Sequence, residues 1–161
     1  MTTSIKTSPK ERKLGFRVLF LAMFAIGTGQ TLFIAVLPPY ARGLGLSEVQ
    51  VGFIFSLSAL GWMIMSPFWG RKSDFIGRKS IIILGLLVYA FTTILMGLEF
   101  RLNELGYINL STLFGLLIFT RGCYGFLGSG AHSASMAYVA DRTTEKERSG
   151  IMAVMGSAFA I

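Results

Sequence analysis

Long apolar runs alternate with short charged segments along the whole chain. The runs predict membrane spans over about residues 16–37, 48–69, 80–98 and 112–139, and a fifth begins at residue 150 and continues to 161. A helix of about 20 apolar residues is long enough to cross the hydrocarbon core of a bilayer. The pattern therefore predicts an all-α integral membrane protein that is surrounded by lipid.

Local signals place some of the helix ends. Pro38-Pro39 is predicted to end the first helix, because proline cannot donate to the helical hydrogen-bond ladder. Ser47 and Gln50 have capping-box spacing, which predicts that the second helix begins there. The polar and basic residues 1–15 are predicted to form a cytoplasmic tail, and residues 99–109 a polar outer loop.

The fourth apolar run is interrupted by Arg121 and can be placed in two ways. In the favoured placement a single tilted span carries Arg121 well inside the bilayer. In the other placement the span starts near Gly122 and Arg121 lies at the outer interface. The two placements differ in whether a charged side chain faces the membrane interior.

Composition supports a membrane protein and argues against several other classes. Charged residues make up 14% of the chain, against about 25% in ordinary soluble domains, and the mean hydropathy is +0.63. The net charge of +7 would suit nucleic acid, but the basic residues lie at the ends of apolar runs, so no nucleic-acid partner is expected. A single cysteine excludes a disulfide framework and a thiolate metal site. No metal or cofactor is expected.

Basic residues are distributed unequally between the two sides of the predicted bundle. The N-terminal segment and residues 70–79 and 141–149 are rich in Lys and Arg, whereas the segments on the other side hold only Arg42 and Arg101. Clustered Lys and Arg beside a span keep that segment in the cytoplasm. We therefore expect a cytoplasmic N-terminus and insertion in the cell membrane, whether plasma or inner.

The segment between the second and third spans carries a recognisable motif. Gly70, Asp74, Gly77, Arg78 and Lys79 follow the spacing G-x-x-x-D-x-x-G-R-K. This resembles the loop between helices 2 and 3 of the major facilitator superfamily. Two positions depart from the family pattern, namely Lys72 and Phe75.

This resemblance implies a fold and a completing partner. It implies a facilitator-type bundle of twelve helices in two halves, of which this chain would hold helices 1–4 and the start of helix 5. Residues 16–161 would then be an incomplete N-terminal half, and the C-terminal half of the same protein would complete it. The resemblance also implies that Asp74, Arg78 and Asp141 form a charge network that holds the outward-facing state. The competing interpretation is a solvated surface cluster of little energetic value.

Arg121 is the strongest candidate for a functional residue inside the membrane, where an ionisable side chain is costly and marks a site by default. Residues 119–125 resemble the helix 4 motif of proton-linked facilitators, which implies a role for Arg121 in proton transfer or substrate binding. Tyr124 departs from that motif. The spacing of Arg121, Gly125, Gly128 and His132 predicts one shared helix face. The competing interpretation is an arginine that reaches the interface beside a glycine packing seam.

Two further polar residues are candidates for the substrate or proton pathway. His132 could relay a proton or simply hydrogen-bond a neighbouring helix. Gln30 lies in a polar patch about midway along the first span and could line the substrate path. No acid is predicted within any span, so a coupled proton would need a carboxylate from outside this chain, or His132.

The predicted function is secondary active transport of a small molecule by alternating access. The helix 2–3 segment and residues 137–150 look most like the drug:proton antiporter branch, which includes tetracycline and multidrug efflux pumps. The resemblance implies proton-linked efflux of drugs or lipophilic compounds. The alternative is facilitator-type uptake of a metabolite such as a sugar or an organic acid. No enzyme activity is expected, because neither Ser129 nor Ser133 lies in a nucleophile motif and Ser133 is adjacent to His132.

Overall fold

The computed structural model describes residues 9–160 of the chain, and this part is helical with no strand. The helices are α1 (Pro9–Gly43), α2 (Glu48–Ile76), α3 (Arg78–Glu104), α4 (Leu110–Cys123), α5 (Ser129–Asp141) and α6 (Glu145–Phe159). A π-helical segment, Tyr124–Gly128, joins α4 to α5 without a break. Four helical rods are long and apolar enough to cross a membrane: Lys10–Gly43, Glu48–Ile76, Arg78–Glu104 and Leu110–Asp141.

The first helix is longer than predicted at both ends. It begins at Pro9, so residues 9–15 are helical where a tail was expected, and residues 1–8 lie outside the described part. It also passes through Pro38-Pro39, so the prediction that this pair ends the helix was wrong. The residues on either side of the pair, Leu37 and Ala41, are buried, so the helix stays packed through the two prolines.

The segment 70–79 is helical rather than an extended loop. Residues 70–76 continue α2, and α3 begins at Arg78, so Gly77 alone separates the two helices. Its φ of +100° lies in a region that L side chains rarely adopt, which is why glycine is suited to this position. The glycine therefore makes the reversal, and the charged side chains of the motif project from helix ends.

The remaining ends differ from the predictions by a few residues. Helix α3 extends to Glu104, so residues 99–104 of the predicted outer loop are helical. Helix α6 begins at Glu145, where Thr144 and Glu147 form a capping box that the sequence interpretation missed. The predicted capping box at Ser47 and Gln50 is confirmed, with the Ser47 N–H donating to Gln50 Oε1 at 2.8 Å.

The rod formed by α4, the π segment and α5 is the centre of the packing. It lies against α2 and α3, and α6 packs on α1. We call the end of the bundle that carries the α2–α3 reversal the Gly77 end, and the opposite end, where α3 turns into α4, the Gly106 end. Buried apolar clusters fill both ends and the middle. Large apolar side chains on the outside of the helices, such as Phe91 and Ile94 of α3, are exposed, as expected for a surface that faces lipid.

Candidate functional site

Arg121 lies inside the bundle, on the side of α4 that faces α1. Its side chain is buried, and its Nη1 donates to Gln30 Oε1 at 3.2 Å. The guanidinium carbon stands 4.2 Å from the ring centre of Phe33 and 5.0 Å from that of Tyr124. The structure therefore supports the placement of Arg121 within a single long span, and it brings Arg121 and Gln30 together.

The charge of Arg121 is only partly compensated. Within residues 9–160 no carboxylate lies within 4.0 Å of it, and its buried Nε has no hydrogen-bond partner. The faces of the two aromatic rings offer some compensation, about 1–2 kcal/mol for a desolvated cation–π contact. A buried cation with a spare donor can bind an anionic or hydrogen-bond-accepting group, and it repels a second cation.

The π-helical segment sets the orientation of α5 relative to α4, which carries Arg121. A π turn holds one residue more than an α turn and therefore rotates the helix that follows it. The indole of Trp69 on α2 donates to the carbonyl of Phe126 in this segment at 2.7 Å. Gly125 packs directly on α2, since a Cβ there would lie 2.6 Å from the Ser58 carbonyl oxygen. The absence of a side chain at Gly125 thus permits the close approach of the two helices.

Arg121, Gly125, Gly128 and His132 were predicted to share one helix face, and the structure gives them different neighbours. Arg121 contacts α1, Gly125 contacts α2, and the ring of Tyr124 covers Gly128. A π turn lies between Arg121 and His132, and it shifts the helical register that the spacing rule assumes.

His132 belongs to an aromatic cluster that adjoins Arg121 through Tyr124. Its ring centre lies 5.7 Å from that of Trp62 on α2 and 4.7 Å from that of Phe159 on α6. Trp62 in turn contacts Tyr124, with 6.3 Å between ring centres. The buried Nδ1 of His132, Nε1 of Trp62 and hydroxyl of Tyr124 lack hydrogen-bond partners within the described residues. Polar atoms of this kind are available to a ligand or to water.

A second site lies at the Gly77 end, where the structure brings Asp74, Arg78 and Asp141 together. Arg78 Nη2 pairs with Asp74, and Arg78 Nε donates to Asp141 Oδ2 at 3.0 Å. The guanidinium is 19% exposed and the two carboxylates are 53% and 50% exposed. Arg78 thus bridges α2, α3 and α5. Of the other motif residues, Gly70 accepts a hydrogen bond from Arg78 through its carbonyl, and Gly77 makes the chain reversal between α2 and α3. Lys79 is exposed.

Ser73 is a member of this site that the sequence interpretation missed. It is buried, its hydroxyl donates to the Gly70 carbonyl at 2.6 Å, and Arg78 Nη1 donates to its oxygen. Arg78 Nη1 also donates to the Gly70 carbonyl at 3.1 Å. These contacts fix the guanidinium on its buried side, so Arg78 is anchored by hydrogen bonds as well as by ion pairs.

Glu99 overturns the expectation that no acid lies within a span. It is 2% exposed, it is part of α3, and it accepts a hydrogen bond from Thr120 of α4. The sequence contained a signal for it, because Gly85, Thr92, Met96 and Glu99 recur at helical spacing and form the buried face of α3. The error came from treating a charged residue as the end of the apolar run.

Together, the fold and these buried ionisable groups define a helical integral membrane protein with polar sites inside its bundle. The profile of the Major Facilitator Superfamily matches residues 19–161, and the chain belongs to this family. The predicted fold class, a portion of the facilitator-type helical bundle, is confirmed.

Two relatives are similar over the N-terminal part of a longer protein. "Multidrug resistance protein 2" of Bacillus subtilis is 34% identical over 155 residues, which is 96% of this chain and 36% of the relative. "Quinolone resistance protein NorA" of Staphylococcus aureus is 41% identical over 73 residues, 45% of this chain and 19% of the relative. The chain thus spans about a third of the length of the first of these relatives.

Proposed function

We propose that this chain is the N-terminal part of a secondary transporter that exports lipophilic compounds from the cell in exchange for protons. Family membership supports transport of a small molecule. The similarity to proteins named for multidrug and quinolone resistance supports export. The C-terminal half would supply the other wall of the substrate path and close the alternating-access cycle.

One observation carries the proposal within this chain, and that is the buried Arg121 with its partner Gln30. A cation costs about 2.5–3.5 kcal/mol at the centre of a span on insertion scales, so such a residue is kept for a function. Here its free Nε and the unpartnered atoms of the neighbouring aromatic cluster offer donors to a bound molecule. The aromatic rings of Phe33, Trp62 and Tyr124 offer stacking surfaces for planar apolar groups.

Three further parts of the proposal concern sidedness, switching and His132. The Gly77 end faces the cytoplasm, because the basic residues are concentrated there. The contacts of Arg78 with Asp74 and Asp141 form at this end in one transport state and break in the other. His132 lines the substrate path through its contacts with Trp62 and Phe159.

The experiment is an export assay in cells that make the full-length protein. We expect Arg121→Ala to abolish efflux of a fluorescent lipophilic compound that carries a hydrogen-bond acceptor and no positive charge, while the protein remains in the membrane at the wild-type level. Arg101→Ala is the matched control, because Arg101 is exposed near the Gly106 end and pairs only with Glu104 among residues 9–160. Normal efflux by the Arg121 variant, or net uptake by the wild type, would contradict the proposal.

A further inference from the structure

Glu99 is a buried acid that lacks a buried base. Its Oε1 accepts from the hydroxyl of Thr120, and its Oε2 is enclosed without a hydrogen-bond partner. No Lys, Arg or His among residues 9–160 lies within ion-pair distance of it. An ionised carboxylate in this setting would hold an uncompensated charge out of water, so the neutral form is favoured.

The charged and titratable groups on the surrounding helices are engaged elsewhere. Elements α1, α2, α4, α5 and the π segment all touch α3. Inside the bundle, the groups on these helices that could interact with Glu99 are Arg121, Tyr124 and His132. Arg121 contacts Gln30, and the other two belong to the aromatic cluster around Trp62. At the Gly106 end Tyr40 donates to Glu104, and Glu48 pairs with Arg42. None of these groups compensates a negative charge on Glu99.

We propose that Glu99 is a proton-binding site of the membrane domain, a neutral carboxylic acid that ionises only when water reaches it. The hydrogen bond between Glu99 and Thr120 can form in both protonation states of Glu99. In the ionised form the Thr120 hydroxyl donates to the carboxylate. In the protonated form the carboxyl O–H donates to the Thr120 oxygen, and the threonine hydroxyl is free to donate to a carbonyl one turn earlier in its own helix, as threonine does in helices.

The step is a simple proton exchange. When the α3–α4 contact opens, the carboxyl O–H bond breaks, the proton passes to water, and the carboxylate left behind is solvated. When the contact closes, the carboxylate takes a proton from water before it is buried. Because Thr120 is followed directly by Arg121, a change in the α3–α4 contact is transmitted to the helix turn that carries the buried cation.

This assignment supplies an acid for proton exchange within the chain itself. In that respect it rests on the proposed transport function. Its first test does not, because the protonation state of a side chain can be measured without transport.

The test is infrared difference spectroscopy of the full-length protein in lipid nanodiscs at neutral pH. We expect wild type minus Glu99→Gln to contain the carbonyl stretch of a protonated carboxyl group. Glu48→Gln is the matched control, because this exposed glutamate should contribute only carboxylate bands. In Thr120→Val the protonated-carboxyl band should remain but shift to higher frequency, because a hydrogen bond is lost. If the wild type minus Glu99→Gln spectrum contains carboxylate bands instead, Glu99 is ionised in the wild type and the proposal is overturned.

A second measurement tests the exchange. The rate of substrate export should depend on pH in the wild type and in Glu48→Gln, and this dependence should be reduced in Glu99→Gln. If the infrared band is present but the pH profile is unchanged, Glu99 is a permanently neutral structural acid and the exchange is refuted. If no variant and no wild type exports any substrate, the proposed function fails while the infrared result on Glu99 stands.

Discussion

Replacement of Arg78 by alanine is the most informative perturbation of the Gly77 end. The side chain makes two ion pairs with half-exposed carboxylates, each worth about 0.5 kcal/mol after solvent screening. On its buried side it donates to the Gly70 carbonyl and to Ser73, at about 1 kcal/mol for each hydrogen bond. The loss should therefore amount to about 2–3 kcal/mol in the conformation that contains these contacts.

A loss of this size shifts a conformational equilibrium measurably. Since about 1.4 kcal/mol corresponds to a factor of ten, the ratio of the two transport states should change about 30- to 140-fold. The shift occurs only if the contacts break in the other state, because a contact present in both states biases neither. We expect Arg78→Ala to move the population away from the state in which the Gly77 end is closed.

The assay is single-molecule energy transfer between dyes placed across the Gly77 end of the full-length protein in nanodiscs. Arg71→Ala is the control, because it removes the same charge from an exposed position of the same segment. Asp74→Asn and Asp141→Asn should each shift the ratio in the same direction and by less, and their effects should be non-additive because both acids share Arg78. An unchanged ratio in Arg78→Ala, or an equal shift in Arg71→Ala, would refute the reasoning.

Three further predictions concern packing, pH and sidedness. Gly125→Ala should lower the melting temperature of the full-length protein, because the new Cβ would clash with the Ser58 carbonyl oxygen. Gly115→Ala is the control, because a Cβ at Gly115 meets no atom within 4 Å, and equal melting temperatures of the two variants would contradict the prediction. The backbone N–H of Thr144 lowers the pKa of Glu147 below its usual value of 4.5. The capping box should therefore stabilise α6 fully above pH 4.5, and this stabilisation should be lost as the pH falls through the lowered pKa of Glu147. A nuclear magnetic resonance titration that gives Glu147 a pKa of 4.5 or above would refute it. A cysteine at the highly exposed Phe75, in a cysteine-free background, should react with an impermeant reagent only from the cytoplasmic side, and labelling from outside would invert the topology.

The existence of the membrane-spanning helices could be predicted from the sequence, because every apolar residue in a run adds to the same hydropathy signal. Each apolar run is long, and lipid solvation rewards every apolar residue in it. Helix ends could not be placed in the same way, because charged residues can remain helical beyond the apolar core. Residues 71–74 show this, since they continue α2 although all four are polar or charged.

The candidate site was partly predictable for a related reason. Arg121 and Gln30 were singled out because a polar residue in an apolar run is conspicuous, and the motif resemblance pointed to Asp74, Arg78 and Asp141. The π segment has no local sequence signal apart from nearby glycines, and it rotates the rest of the rod. Glu99 was missed because a charged residue was taken to end the apolar run, although Glu99 continues the helical spacing of the buried face of α3.

The central claim is best tested by transport in proteoliposomes that contain only the purified full-length protein. With an acidic lumen and a neutral exterior, the proton gradient should drive accumulation of an uncharged lipophilic compound by molecules whose cytoplasmic side faces outward. Accumulation should collapse when a protonophore dissipates the gradient, and it should be absent in Arg121→Ala but present in Arg101→Ala. Accumulation that persists without the gradient, or that is unaffected by loss of Arg121, would contradict a proton-linked exporter with Arg121 in its path.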